Sequence, residues 1–296
     1  MSKLSLLTSK LRPVAMALFM VDRSTRLSGR IAILPGELTA TDRLRHLLGL
    51  AASDVGPDVV LLVHPAVPGA EVEGPARALA GRKRDGEDVL VVLIGRRGER
   101  ERLAAAYAAV APLEESDLVH VASLEGPGGR RALDGVVAAL GRNALAAGRL
   151  NPALRPAVAR SLIRSSTRRA AVIGSAVFIS GADMPVLTML QTRLVADLAA
   201  LHERPIGIER GAEIAAVFGA GYLWRAAARQ VAGAVPVGGW ALKGTVAYTA
   251  TRAIGEAADA WFASGGPAAD DPASAFRALA ARVKHDSAPE RVGAPT

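Results

Sequence analysis

"PDVVLLVHP" (57–65) is the stretch that decides the fold. Val59, Val60, Leu61, Leu62 and Val63 run without a polar break between two prolines. A strand with one wet face alternates apolar and polar residues, whereas a strand covered on both faces is continuously apolar. "DVLVVLIG" (88–95) repeats the signature, and "RIAIL" (30–34) and "DLVHVAS" (117–123) are shorter versions of it. Helical spacing is predicted between and after them, over 41–50, 71–82, 98–111 and 130–141. Buried strands alternating with helices of this length imply a mostly parallel sheet covered on both faces.

Outward from this core the totals set limits. A chain of 296 residues has room for two domains. Half of it is apolar, which excludes wholesale disorder. It has no cysteine, so disulfides, thiolate catalysis and cysteine-bound zinc are excluded. The net charge is +8, carried mainly by arginine. Nucleic acid or an anionic membrane surface is the usual partner of such a protein.

Before the first strand, Lys3, Lys10 and Arg12 precede the short apolar run "VAMALFMV" (14–21) with no small-residue cleavage site after it. That predicts an N-terminal helix over 1–29 rather than an export signal. The α/β region is expected over 30–145. Residues 146–169 read as a basic helical linker: from 142 to 169 the chain carries seven arginines and no acid. Arg160, Arg164 and Arg168 recur every four residues and share one helical face. From 170 to 265 the pattern is helical only, which predicts an all-α domain. The tail, 266–296, is rich in Pro, Gly and Asp and is expected to be partly disordered.

The first strand runs into Pro35–Gly36 and then a helix, the layout of a phosphate-binding loop. A working loop reads G-x-x-x-x-G-K-[S/T]. Here those four slots hold Pro35, Ala40, Thr41 and Asp42. Thr41 cannot offset phosphate charge as lysine does, Asp42 repels phosphate, and Ala40 adds a Cβ where the backbone must approach closely.

The element order of 30–141 resembles an Era-like small GTPase domain that has lost its working parts. "PDVVLLVHP" is similar to the strand after the switch region, and "VLVVLIGRRGE" stands where such domains carry the guanine-reading N-K-x-D. "VHVASLEGPGG" is similar to the segment that closes the base pocket. In the N-K-x-D slots stand Ile94, Gly95, Arg96 and Arg97, without the carboxylate that would accept the guanine N–H groups. The resemblance therefore implies a degenerate G-domain-like fold with no cofactor, no metal and no GTPase activity.

Residues 165–265 resemble the YcjF-type helical domain of unknown function that often follows Era-like GTPase domains. "ISGADMPVLTMLQTRLVADLAALH" (179–202) and "AAVFGAGYLWRAAARQVAGAVPVGGWALKGTVAYTATRAIGEAA" (215–258) carry the likeness. Matching positions include Asp183, Pro185, Gln191, Arg193, Arg225, Pro236, Lys243 and Thr251. Read physically, Asp183, Gln191 and Arg193 interrupt apolar surroundings, and a buried Asp–Arg pair that fixes helix register is expected. Gly239, Gly244, Ala247 and Gly255 let a neighbouring helix pack closely.

A bilayer span needs roughly 20 apolar residues. Residues 170–192 contain Asp183 and Pro185, and 231–251 contain Pro236 and Lys243. These interruptions favour a peripheral bundle, in the cytoplasm or at the inner membrane, over an embedded hairpin. The arginine face suits anionic headgroups, and the lack of stacking aromatics beside it argues against RNA. The five histidines, His46, His64, His120, His202 and His285, form no metal-binding pair. "GPGG" (126–129) reads as a tight turn. His64 ends its strand on the sheet edge where α/β proteins bind ligands, with no partner evident in the sequence.

The expectation is a non-catalytic scaffold or adaptor whose partners are a GTPase or other protein, or an anionic membrane surface. A membrane-embedded helical protein with an α/β accessory domain, and an atypical nucleotide-binding protein, are the alternatives.

Overall fold

The computed structural model describes residues 30–33, 41, 58–176, 184–204 and 239–265. Strands β1 (Ile31–Ile33), β2 (Val59–Ala66), β3 (Asp88–Gly95) and β4 (Leu118–Val121) form a four-stranded sheet. Every pair is parallel, and the spatial order follows the chain, β1-β2-β3-β4. Helix α1 (Glu73–Arg84) connects β2 to β3, and α2 (Arg97–Val110) connects β3 to β4. Helix α3 (Gly126–Leu140) follows β4, and α4 (Ala144–Leu150) follows α3.

The unbroken apolar strands are explained by cover on both faces. Side chains alternate along a strand, so Val60, Leu62 and Ala66 share a face with Val89, Val91 and Leu93. That face packs against Ala76, Leu79 and Ala80 of α1 and Leu103, Tyr107 and Ala111 of α2. Two right-handed crossovers stepping the same way across a sheet must put both helices on one side. The other face, with Val59, Leu61, Val63, Leu90 and Val92, is equally buried, and α3 packs onto the sheet with Gly135 against Val119.

The chain divides into two compact units, one of Asp22–Ser161 and one of Leu162–Thr296 with Met1–Val21. The division falls inside helix α5 (Arg155–Ala176). Residues 146–169 are thus largely helical: the rest of α4, a 3-10 turn at Pro152–Leu154, and the first part of α5. In the second unit, α6 (Met184–Leu201) and α7 (Gly239–Ala263) pack on each other. No helix among the described residues is long and apolar enough to cross a membrane.

Candidate functional site

The C-terminal half of the sheet carries two histidines, His64 of β2 and His120 of β4. The register sets His64, Leu93 and His120 side by side on the α1–α2 face. Tyr107, fully buried on α2, meets His64 with an Oη–Nδ1 distance of 2.5 Å, the rings edge to face at 5.5 Å. Burial pushes the Tyr107 phenol well above its ordinary range, and the charge of Glu71 adds to this. The phenol therefore stays protonated and can donate to Nδ1. Burial lowers the His120 pKa, helped by Arg100 and opposed by Glu101 and Glu115.

Two glycines at this end of the sheet serve the backbone. Gly95 has φ +148°, and a Cβ there would lie 2.7 Å from the Ala66 carbonyl oxygen. That close approach closes the end of β3 against β2. In "GPGG", a Cβ on Gly128 would meet the Ser123 carbonyl oxygen at 2.0 Å, and the Gly128 N–H donates to the Glu125 carbonyl. The cluster forms the first turn of α3 itself rather than a separate tight turn before it.

In the second unit, three helices share a seam that can be read level by level. Ala170 of α5, Leu187 of α6 and Ala247 of α7 pack together. Two turns away, Gly255 of α7 faces Ile163 of α5 and Leu194 of α6. Helix α5 therefore runs antiparallel to α6 and α7. Between these levels, one turn from each, fall Thr167, Gln191 and Thr251, buried to 2%, 1% and 0% exposure. Gln191 Nε2 donates to Thr251 Oγ1 at 2.9 Å. Thr167 Oγ1 and Gln191 Oε1 have no hydrogen-bond partner among the described residues. Farther along the seam, His202 Nε2 lies 2.8 Å from Asp259 Oδ1, a second tie between α6 and α7.

The expected tie between Asp183 and Arg193 involves Asp183, which lies outside the described residues. The described carboxylate beside Arg193 is Asp197, one turn along the same helix at 3.5 Å. A pair within one helix cannot set the register between two. Among the described residues Gln191–Thr251 does so, because shifting either helix by one turn would bury both polar groups against apolar neighbours. Burial raises the Asp197 pKa to about 6, although Arg193 pulls it down.

Of the basic face, Arg160 donates to Asp134 of α3 at 2.7 Å, while Arg164 and Arg168 are exposed. Pro185 is exposed at the start of α6. Lys243 lies in the backbone of α7, and its side chain is outside the described residues, as are Pro35, Gly36, Ala40, Asp42, Asp183, Arg225 and Pro236. Thr41 is helical and only 4% exposed. Sequence reasoning missed the partner of His64. The available signal was Tyr107, the one aromatic on the buried Leu103–Ala111 face of its helix.

No protein-family model, no curated protein and no solved structure matches the chain.

Proposed function

We propose that the chain is a non-catalytic scaffold, in which a nucleotide-free α/β domain with G-domain-like element order is joined to a separate YcjF-type helical domain that meets the partner. The strand order supports the nucleotide-free part of this reading. Open α/β sheets bind ligands where the strand order reverses, because the loops there diverge and leave a crevice. Among the described strands no reversal occurs, and β1, the strand leading into the phosphate-loop frame, has β2 as its described neighbour.

Thr41 supports the same conclusion. It holds the lysine slot of that frame, and its short side chain is buried. A packed threonine contributes to a core, whereas a working lysine must reach out to phosphate. Gly95 adds to this, since the adjacent base-reading slot is committed to backbone packing. The partner is a GTPase or other protein, or an anionic membrane surface. The described helices, none of them apolar and long enough to span, favour peripheral contact over insertion.

Calorimetric titration of the full chain with GTP, GDP and ATP in the presence of Mg²⁺ tests the reading. No binding is expected at hundred-micromolar nucleotide. Micromolar affinity for any of the three would overturn it.

A further inference from the structure

A hydroxyl inside a helix commonly donates to the carbonyl one turn back along its own chain. In the second unit Thr192 does so to Thr188 at 2.7 Å, Ser175 to Ala171 at 2.9 Å and Thr249 to Thr245 at 2.9 Å. Thr167 does not. Its Oγ1 is buried and has no partner among the described residues, so it must be satisfied within the layer it shares with Gln191 and Thr251. In that layer Gln191 Oε1 is buried and unpartnered as well.

No side chain from above or below can supply what is missing. The adjoining layers are Ala170, Leu187 and Ala247 on one side and Ile163, Leu194 and Gly255 on the other, all without polar side-chain atoms. Nor do the two unpartnered oxygens bond to each other. Facing helices stand roughly 8–10 Å apart. The Gln191 side chain spans such a gap to Thr251, whereas a threonine hydroxyl sits close to its own backbone and stops short. A molecule lying between two groups extends each arm by about 2.8 Å.

The chemistry of the layer suits water. Gln191 Oε1 only accepts, and each threonine hydroxyl has one proton to donate. Thr251 already accepts from Gln191 Nε2 at 2.9 Å and keeps its own proton to give. A buried water makes about three hydrogen bonds. Here it would accept from Thr167 and Thr251 and donate to Gln191 Oε1. A cation would lack a charged oxygen: the nearest described carboxylates on α6 and α7, Asp197 and Glu256, lie about 7–9 Å farther along their helices.

We infer that one water molecule is bound in this layer, between Thr167 of α5 and the Gln191 amide of α6, and that it extends the Gln191–Thr251 tie to the third helix. Two neutral oxygens are thereby satisfied that would otherwise stay buried and unpaired. The register of α5 is fixed with that of α6 and α7, because sliding α5 by one turn would set Thr167 against a layer of carbon.

Oxygen-17 magnetic relaxation dispersion counts the water molecules held inside the full chain. Thr167→Val/Gln191→Leu removes two of the three partners and should lower that count by one, while Thr167→Ser keeps the hydroxyl and should leave it unchanged. In urea unfolding, Thr167→Val should raise the unfolding equilibrium constant roughly fivefold in the parent and less than about twofold in the Gln191→Leu background. A crystal structure of the parent chain needs no variant to fold, and should show water within about 3.2 Å of Thr167 Oγ1 and Gln191 Oε1. An unchanged water count would overturn the inference even with the two side chains coupled, because a direct bond would couple them too. Equal effects of Thr167→Val in both backgrounds, or no water density between the two atoms, would overturn it as well.

Discussion

Replacing Asp197 by asparagine should stabilise the helical unit at neutral pH and leave it unchanged in acid. The Asp197 side chain is 10% exposed, one carboxylate oxygen is buried without a described partner, and Arg193 stands 3.5 Å from the other. Burial outweighs that attraction and raises the pKa from 3.8 to about 6. Between those values the folded chain holds a proton that the unfolded chain has released. The carboxyl's contribution is therefore at its best below about pH 4 and is lost as the pH rises through 6. A shift of roughly two units corresponds to about 3 kcal/mol of cost at pH 7.5. Asparagine does not titrate, and it leaves one buried polar atom unpaired much as the carboxylate does. Urea unfolding followed by circular dichroism should give Asp197→Asn an advantage of about 1–3 kcal/mol at pH 7.5 and nearly none at pH 4. A variant less stable at pH 7.5, or one with the same difference at both pH values, would refute the argument.

Gln191→Leu removes the donor to Thr251 and strands a fully buried hydroxyl, at a cost of about 1–3 kcal/mol. Adding Thr251→Val should bring stability back to within about 1 kcal/mol of the parent; strictly additive losses in the double-mutant cycle would show that the two side chains are uncoupled. Gly255→Ala places a methyl group 2.8 Å from Ile163 Cγ1 and 3.1 Å from Leu194 Cδ2. Overpacking of about 1–3 kcal/mol should exceed the roughly 1 kcal/mol gained in helix propensity, so thermal melting should move down. An upward shift would mean that the seam has room there.

The strands were legible because burial on both faces leaves a local mark. "DVLVVLIG" (88–95) is β3 residue for residue, and 57–65 falls within two residues of β2. Helices 71–82 and 98–111 lie within two residues of α1 and α2. The start of α3 was less legible. It begins at Gly126 rather than 130, because the "GPGG" turn is already helical. In the second unit, Gln191 and Thr251 could be singled out as polar residues in apolar surroundings. Their pairing could not, since the two lie 60 positions apart and nothing in the intervening sequence sets one helix against another. Arg193 shows the same limit: a cation in an apolar stretch signals a nearby acid without saying which one, and among the described residues Asp197, its i,i+4 neighbour, lies beside it.

By itself the sequence determined which of the described segments are strands and helices, that the sheet is parallel and doubly covered, and that no lysine stands at position 41. These follow from side-chain periodicity and from residue identity at a fixed slot, both local properties. Tertiary structure alone decided the sequential strand order, the meeting of His64 with Tyr107 and the Thr167–Gln191–Thr251 level. It also separated the arginines bound to acids from those left on the surface. Each of these depends on which elements pack side by side, and that is set by the summed fit of whole faces rather than by any single stretch of chain.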